Sequence, residues 1–468
     1  MKTGRVEIIN YNANANAIVS AAGRISTTPG SSLEVYELSC EKGDEANIKL
    51  IDKILASGHE SVLEHISINL AFNNVSVFVE QFMIEFRLAA FTVKSRRYVD
   101  FGKMGYVIPA SVENANDDGA LRKLYCEHMD YLFSEYDFLI QNGVPKEDAR
   151  FILPYSFRSN FFCTVNAREL IKIMNEMVCG RGREYPELVE LGQSLFRQCG
   201  EKLPYICKPR EGHDNTELLR AQFPSETGKE PAGELVTLVR GTHGPERVIC
   251  TAAALNLGIS DWPEQTPTDC EKQKVIIKEL LKNNRRRELE QVNFTMVFNK
   301  ISLAGVTHLV RHRMQSILIP KFETVCEYGR YVIPESIVSA GLEDRYRGIF
   351  ARSSEAAQEL SQRGLDRHDG VYMLLSGMTI SVMTTMNGNE LCTFLGLRTC
   401  NRAQWEIKAC ADALLTKLRR EYPLLFSMYG PNCFMKGRCP EGKMTCGHMS
   451  EVLKQYGGRT ESLTEKVY

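Results

Sequence analysis

Residues 66–72 read ISINLAF, and residues 292–298 read VNFTMVF. Every second residue in each stretch is apolar, which predicts a strand with one buried face. The two stretches lie 226 positions apart, and at the same offset Glu64 matches Glu290. An ordered series of such matches indicates that one structural unit occurs twice in the chain.

The repeat continues beyond these strands with small changes in offset. The tetrapeptide YVIP occurs at 106–109 and again at 331–334, which is 225 positions later. Mixed strand and helix patterns within each copy favour an α+β unit. We therefore predict two tandem copies of one α+β fold, at 1–210 and 234–468. A linker rich in Pro, Gly, Glu and Thr joins them at 211–233.

Charge and composition exclude several classes of protein. The formal net charge is -1, so the chain has no general electrostatic footprint for nucleic acid. The N-terminus lacks an apolar signal segment, and no apolar run reaches transmembrane length. We therefore expect a cytoplasmic protein without membrane association. The 15 cysteines are scattered and odd in number, which favours reduced thiols.

The C-terminal tail contains four potential zinc ligands, Cys433, Cys439, Cys446 and His448. Structural zinc sites usually have closely spaced cysteine pairs, and the gaps between these residues are wider. We expect no metal site, and zinc binding by the tail stays open as the alternative.

Two short segments resemble the two ends of one enzyme signature. Residues 311–313, Arg-His-Arg, are similar to the opening of the RHRxxSxNExSxRY signature of flavin-dependent thymidylate synthases. Residues 95–98, SRRY, are similar to its closing Ser-x-Arg-Tyr. The first copy has lost the leading Arg-His and retains only Arg87 there. Each copy thus keeps an end of the signature that the other has lost.

Four further segments are similar to motifs of the same family. They are GHESVLEH at 58–65, similar to GHxSPxEH, ARFILP at 149–154, similar to ARxxLP, NAR at 166–168, and LRTCNRAQWEI at 397–407, similar to LRxxxxAQWEI. The resemblance spans most of both copies. The Arg-His-Arg and AQWEI segments are specific in combination.

This resemblance implies an FAD-dependent methyltransferase of the thymidylate synthase type, which methylates dUMP at C5 to form dTMP. Methylenetetrahydrofolate and NAD(P)H are the implied co-substrates. The family is understood to use no protein nucleophile, so we interpret Cys400, close to Arg398, as a structural thiol. The protein's contribution is then positioning and charge stabilisation.

The resemblance also implies roles for individual residues. Arg398 is the implied catalytic residue, because a guanidinium stays cationic and can stabilise the charge of deprotonated uracil N3. It also belongs to the implied substrate-binding set, whose arginines suit the 5′-phosphate, with Arg87, Ser95, Arg97, Tyr98 and Arg150. The residues implied in FAD binding are His59, Ser61, Glu64, Asn166, Arg168, Arg311, His312 and Arg313.

These residues are divided unequally between the two copies. The second copy has Glu323 at the position of Arg97, and the first copy has Met177 at the position of Arg398. Family members are homotetramers, so the resemblance implies a homodimer of this duplicated chain. We predict two working sites per dimer, each combining residues of both copies.

Some family positions near the nucleotide are changed in both copies. The signature's Asn-Glu pair is replaced at 92–93 and at 318–319, and the Gln three residues before Arg-His-Arg is His308 in the second copy. Two alternatives therefore stay open: a flavoenzyme that modifies another pyrimidine nucleotide, and a non-catalytic paralogue that binds FAD or a nucleotide. The choice between NADPH and NADH stays open as well.

Overall fold

The computed structural model describes residues 4–97, 99–206, 216–223 and 233–457. Helices accompany two separate four-stranded sheets, so the predicted α+β class and its tandem repetition are confirmed. The strands are β1 (Arg5–Tyr11), β2 (Ser67–Ser76), β3 (Ala89–Val93), β4 (Arg158–Asn166), β5 (Val236–Gly241), β6 (Asn293–Ser302), β7 (Gln315–Leu318) and β8 (Thr379–Asn387).

Nine helices described in the structure belong to the first copy, and a short tenth lies in the predicted linker. The nine are α1 (Ala15–Arg24), α2 (Ser32–Glu41), α3 (Gly43–Ala56), α4 (Val77–Ile84), α5 (Ala110–Glu113), α6 (Ala120–Gln141), α7 (Lys146–Ala149), α8 (Ala167–Val178) and α9 (Pro186–Lys202), and the tenth is α10 (Thr216–Arg220). Those of the second copy are α11 (Pro245–Asn256), α12 (Trp262–Gln265), α13 (Cys270–Lys282), α14 (Leu303–Leu309), α15 (Phe322–Val325), α16 (Glu335–Ser339), α17 (Glu343–Gln362), α18 (Gly388–Arg398), α19 (Trp405–Glu421), α20 (Pro423–Phe426), α21 (Asn432–Lys436) and α22 (Met449–Gly457).

The two sheets have the same topology. Their strand orders are β1-β2-β4-β3 and β5-β6-β8-β7, and all neighbouring strands are antiparallel. The register between β2 and β4 shifts between Phe72 and Val75, and that between β6 and β8 shifts between Phe298 and Ile301. The irregularity thus recurs at the 226-residue offset. The alternating apolar residues of both predicted strands are buried, as expected.

A buried carboxylate joins the central strand to the last long helix of each copy. Ser76, at the end of β2, donates from its backbone N–H and its hydroxyl to Glu187 of α9, at 2.8 and 2.6 Å. Ser302, at the end of β6, donates in the same way to Glu406 of α19, at 2.6 and 2.6 Å. Each serine also caps the helix that follows it, α4 or α14. The duplicated scaffold therefore keeps the same polar anchor twice.

The chain packs into two compact units that do not follow the sequence copies. The first unit comprises Met1–Thr227 and Cys326–Met378, and the second comprises Gly228–Val325 and Thr379–Tyr468. The second copy thus contributes a central segment, which includes α17, to the first unit.

Packing between α6 and α17 explains this division. Arg345 of α17 donates hydrogen bonds of 2.6 and 2.8 Å to the buried carboxylate of Glu135 on α6, and its guanidinium lies 3.7 Å from the ring centroid of Phe138. The compact units therefore have other bounds than the predicted domains at 1–210 and 234–468. Those domain bounds describe the sequence repeat and stay a prediction. Most of the predicted linker at 211–233 lies outside the described residues.

Equivalent residues of the two copies pair reciprocally within the first unit. The N–H of Tyr155 donates to the carbonyl of Leu374 at 2.8 Å, and the N–H of Ser376 donates to the carbonyl of Leu153 at 3.0 Å. At the 221-residue offset, Leu374 corresponds to Leu153 and Ser376 to Tyr155. Such an exchange is the pattern of a two-fold interface between like subunits. Here it forms within one chain.

Side chains extend this reciprocity. The hydroxyl of Ser111 donates to Asp369 at 2.6 Å, and that of Ser336 donates to Asp148 at 2.6 Å. Ser336 is the counterpart of Ser111, and Asp369 is the counterpart of Asp148. The two copies have therefore diverged without losing their mutual contacts.

The anchor at Glu406 can be tested by thermal unfolding. Glu406→Ala leaves two buried donors of Ser302 without their acceptor, at a cost of about 1–3 kcal/mol for each unsatisfied group. We expect a clearly lower melting temperature in differential scanning calorimetry. Glu421→Ala, at the exposed end of the same helix, is the control and should melt like the wild type. Equal effects of the two changes would contradict the anchoring role.

Candidate active site

A polar cavity of about 570 Å³ in the first unit gathers several predicted cofactor residues. Glu64, Asn166 and Arg168 line it, and Arg168 donates to Glu64 at 2.5 Å. The side-chain oxygen of Asn166 accepts from the N–H of Glu169 at 2.9 Å and thereby caps α8. This cap fixes Asn166 and Arg168 at the start of the helix, beside the strand end where β2 and β4 pair.

His59 and Ser61, the other cofactor residues predicted from the GHESVLEH segment, adjoin the cavity residue Glu60 in the sequence. His59 immediately precedes the short 3-10 turn Glu60–His65, Ser61 lies within it, and both are exposed. The hydrogen bond to Glu64 raises the pKa of Arg168, so this arginine stays charged. Of these residues, Glu64 contacts the start of α8 through Arg168, and His59 and Ser61 lie at the beginning of the same short segment.

Sequence reasoning missed several residues that line this cavity. Lys172, Asn175, Glu176 and Cys179 follow Arg168 at helical spacing on α8 and lie on the same face. That spacing could have identified them once Arg168 was assigned. The cavity therefore contains both cations and carboxylates.

Two predicted phosphate ligands from separate motifs meet at one residue of the first unit. The Nε atom of Arg97 lies 2.7 Å from the carboxylate of Glu147, and the Nε of Arg150 donates to the backbone carbonyl of Glu147 at 2.9 Å. Arg150 is only 3% exposed, whereas Arg97 is half-buried. Glu147 had no signal in the sequence beyond its place three residues before Arg150.

The other predicted substrate residues have different surroundings. Ser95 is half-buried, and its hydroxyl accepts from the N–H of Arg97 at 3.4 Å. Arg87 is exposed in the turn after α4. Tyr98 lies outside the described residues. The neighbouring Arg96 is more deeply buried than Arg97 and pairs with Glu80, which gives it a structural role.

The second unit holds Arg398 in a hydrogen-bonded chain with two buried side chains. Its Nε donates to Nε2 of His312 at 2.9 Å, and Nδ1 of His312 lies 3.0 Å from a carboxylate oxygen of Glu390. A second guanidinium nitrogen of Arg398 donates to the backbone carbonyl of His308 at 3.2 Å. Arg311 and Arg313, on either side of His312, are exposed.

The protonation of His312 follows from its partners. A guanidinium can only donate, so Nε2 of His312 accepts from Arg398 and the proton lies on Nδ1, which donates to Glu390. Burial lowers the pKa of His312, the hydrogen bond to Glu390 opposes this shift, and the charge of Arg398 lowers the pKa further. His312 is therefore a neutral imidazole with both ring nitrogens engaged. Glu390 was visible in the sequence only as part of the repeat.

The structure also bears on metal binding and on membrane-spanning helices. Among the described residues, no group of three or more His, Cys, Asp or Glu side chains is placed to hold a metal ion, and Cys433, Cys439 and Cys446 are free thiols. In the same part of the chain, no helix combines the length and apolar character needed to cross a membrane.

A protein-family model matches the chain twice, as expected for a tandem repeat. The family model described as "Thymidylate synthase complementing protein" matches twice, at residues 7–205 and 237–424. The two matches fall on the two predicted copies. Together they cover most of the chain.

Two proteins of similar sequence are both named flavin-dependent thymidylate synthase. The flavin-dependent thymidylate synthase of Geobacter sulfurreducens is 31% identical over 232 residues, covering 47% of this chain and 97% of that protein. That of Sulfurisphaera tokodaii is 33% identical, covering 43% and 79%. Among solved structures, a UMP/dUMP methylase from Streptomyces cacaoi aligns with 44% of this chain and 93% of its own, at 20% identity and a TM-score of 0.37.

Proposed function

The chain belongs to the Thy1 family of thymidylate synthase complementing proteins, and from this premise we propose that it methylates dUMP at C5 to form dTMP. In this proposal FAD is the bound cofactor, and methylenetetrahydrofolate and NAD(P)H are the co-substrates. The observation that carries the proposal is the convergence of Arg97 and Arg150 on Glu147. Two arginines 53 positions apart, from two different motifs, contact the same residue, Arg97 at the carboxylate and Arg150 at the backbone carbonyl.

The nucleotide phosphate is the group we assign to these arginines. Planar guanidinium groups make paired, charge-assisted hydrogen bonds to phosphate oxygens. The carboxylate of Glu147 lies against Arg97 in the structure and stands in for such an anion. Phosphate binding would then replace one negative partner of Arg97 by another.

The cavity beside α8 fits the uncharged parts of FAD. Asn166 and Arg168 supply donors for ring carbonyls and for ribityl hydroxyls. Several carboxylates line the same cavity and would repel a diphosphate. We therefore assign the flavin ring or its ribityl chain, and not the diphosphate, to this cavity.

The chemistry requires little covalent participation by the protein. FAD, when bound and reduced, supplies the hydride. Arg398 stabilises the negative charge on uracil N3 from a fixed position, which is how preorganised donors lower a barrier. Burial raises the pKa of Cys400, which disfavours a thiolate nucleophile there. This supports the interpretation of Cys400 as a structural thiol.

We also propose that the active form is a homodimer with both copies required. Arg97, Arg150, Asn166 and Arg168 belong to the first copy, whereas the second copy supplies Arg398 and the Arg-His-Arg segment. Neither copy alone carries both the phosphate ligands and the arginine for uracil N3. Each complete set of site residues therefore combines first-copy and second-copy positions.

A second candidate function is modification of another pyrimidine nucleotide. It is favoured by His308, which is buried and binds Arg398 through its backbone carbonyl at the position of the family's nucleotide-contacting Gln. A changed side chain beside the N3-stabilising arginine affects which base edge is recognised.

The proposed reaction is tested by cofactor content and product analysis. The purified full-length chain should bind FAD noncovalently and convert dUMP, methylenetetrahydrofolate and NADPH to dTMP. Parallel reactions with UMP and dCMP identify the second candidate if one of them is methylated instead. A colourless protein that takes up no FAD on titration, or an FAD-loaded protein that modifies none of the three nucleotides, would overturn the proposal.

The role of Arg398 predicts a selective loss of chemistry. Arg398→Ala should lower dTMP formation by about 10²–10³-fold, the range for removing one preorganised charge stabiliser. Reduction of bound flavin by NADPH should persist, because that step does not ionise uracil. Arg402→Ala changes an exposed arginine in the turn between α18 and α19 and is the control. Near-normal turnover of Arg398→Ala would exclude the assigned role.

The division of labour predicts unequal effects at equivalent positions. Arg97→Ala should weaken dUMP binding by about 2–5 kcal/mol, the cost of leaving a desolvated anion unmatched. Glu323→Ala changes the counterpart of Arg97 in the second copy and should alter dUMP affinity little. Isothermal titration of both FAD-loaded variants gives the comparison. Equal losses in the two variants would contradict the division.

A further inference from the structure

The Arg-His-Arg segment contains one residue whose surroundings differ from those of its neighbours. Arg311 and Arg313 are exposed, whereas His312 is 4% exposed and its ring packs edge-on against Phe394 at a centroid distance of 5.0 Å. We propose that His312 is a positioning residue for Arg398 and not a ligand of the cofactor. This inference rests on the proposed function and refines the role of one residue in it.

The two ring nitrogens of His312 have different hydrogen-bond partners. Glu390 accepts from Nδ1, which fixes the ring, and the opposite nitrogen, Nε2, accepts from Nε of Arg398. Glu390 is itself fixed, because its backbone N–H donates to Asn387 at 2.8 Å in the cap of α18. The cap at the start of α18 thus fixes Glu390, Glu390 fixes the ring of His312, and His312 fixes the guanidinium of Arg398 at the end of the same helix.

The first copy shows which of the three hydrogen-bonded residues, Glu390, His312 and Arg398, differ between the copies. Its counterparts of His312 and Arg398 are Phe86 and Met177, both apolar, whereas the counterpart of Glu390 is still a glutamate, Glu169. The glutamate remains although its partners are gone, and its N–H is capped by Asn166 just as in the second copy. The histidine and the arginine were therefore replaced as a pair, as expected if one serves the other.

Anchoring leaves Arg398 suited to its role. The bonds to His312 and to the carbonyl of His308 hold the guanidinium of Arg398 at two of its nitrogens. Holding this long side chain in one conformation before substrate binds removes an ordering cost from the reaction, and a displacement of about 1 Å can lower a rate by about 10²-fold. Loss of His312 should therefore affect turnover more than cofactor binding.

The neutral state of His312 is part of this arrangement. Its charged neighbours are Glu390 and Arg398, both from α18, and α14 contributes the titratable His308 through its carbonyl group. Protonation of Nε2 would remove the acceptor for Arg398 and place two cations in contact. Because burial lowers the pKa of His312 below its usual value of about 6.5, the anchor persists at neutral pH and is lost only as the pH falls through that lowered pKa.

Two substitutions in the full-length chain separate positioning from cofactor binding. His312→Phe installs the residue of the first copy, and His312→Gln keeps an acceptor that does not titrate. We expect both variants to bind FAD and to reduce it with NADPH. The Phe variant should lose about 10- to 10²-fold in kcat for dTMP formation. The Gln variant should recover part of that loss, without the decline in turnover that we expect of the wild type as the pH falls through the lowered pKa of His312.

A double variant and a structure complete the test. Adding His312→Phe to Arg398→Ala should cost nothing more, since residues acting as one unit are not additive. A crystal structure of His312→Phe should show the Arg398 guanidinium displaced or in several conformers, a result that does not depend on the reaction. Loss of FAD from both single variants, additive effects, or an unmoved Arg398 would overturn the inference. A wild type that binds FAD but forms no dTMP would overturn the proposed function instead.

Discussion

The buried serine–carboxylate anchor is the interaction on which each copy of the fold depends. Ser76 and Glu187 form it in the first copy, and Ser302 and Glu406 form it in the second. In both, one carboxylate accepts a backbone N–H and a hydroxyl at the point where a central strand passes into a helix. Because a buried carboxylate without donors is costly, this anchor restrains both partners together. The scaffold could therefore stay constant while residues elsewhere changed.

Both copies keep this anchor although the residues proposed for the site differ between them. The second copy has lost Arg97 and Arg150, with Glu323 and Val371 in their places. The first copy has lost His312 and Arg398, with Phe86 and Met177 in their places. The two copies thus retain reciprocal contacts, and each lacks some of the site residues that the other keeps. The proposed division of the site between the copies rests on this unequal loss.

Much of the fold followed from the sequence, because its determinants are local. Strands at 66–72 and 292–298 were predicted from a two-residue period that needs no knowledge of distant contacts. The transfer of Cys326–Met378 to the first unit was not predictable, since it depends on helix packing such as that of Arg345 on Glu135. Within the site, motifs identified the arginines but not their partners. Glu147 carried no motif, and Arg-His-Arg reads as a solvated charged run although its histidine is buried.

We propose that one complete nucleotide site is assembled for each duplicated chain. Counting bound dUMP on the FAD-loaded, full-length protein by equilibrium dialysis tests this proposal, because the count does not depend on turnover. We expect saturation at one dUMP per chain, which is two per homodimer. Saturation at two per chain, with equal affinities, would contradict it, since both copies would then carry a complete site.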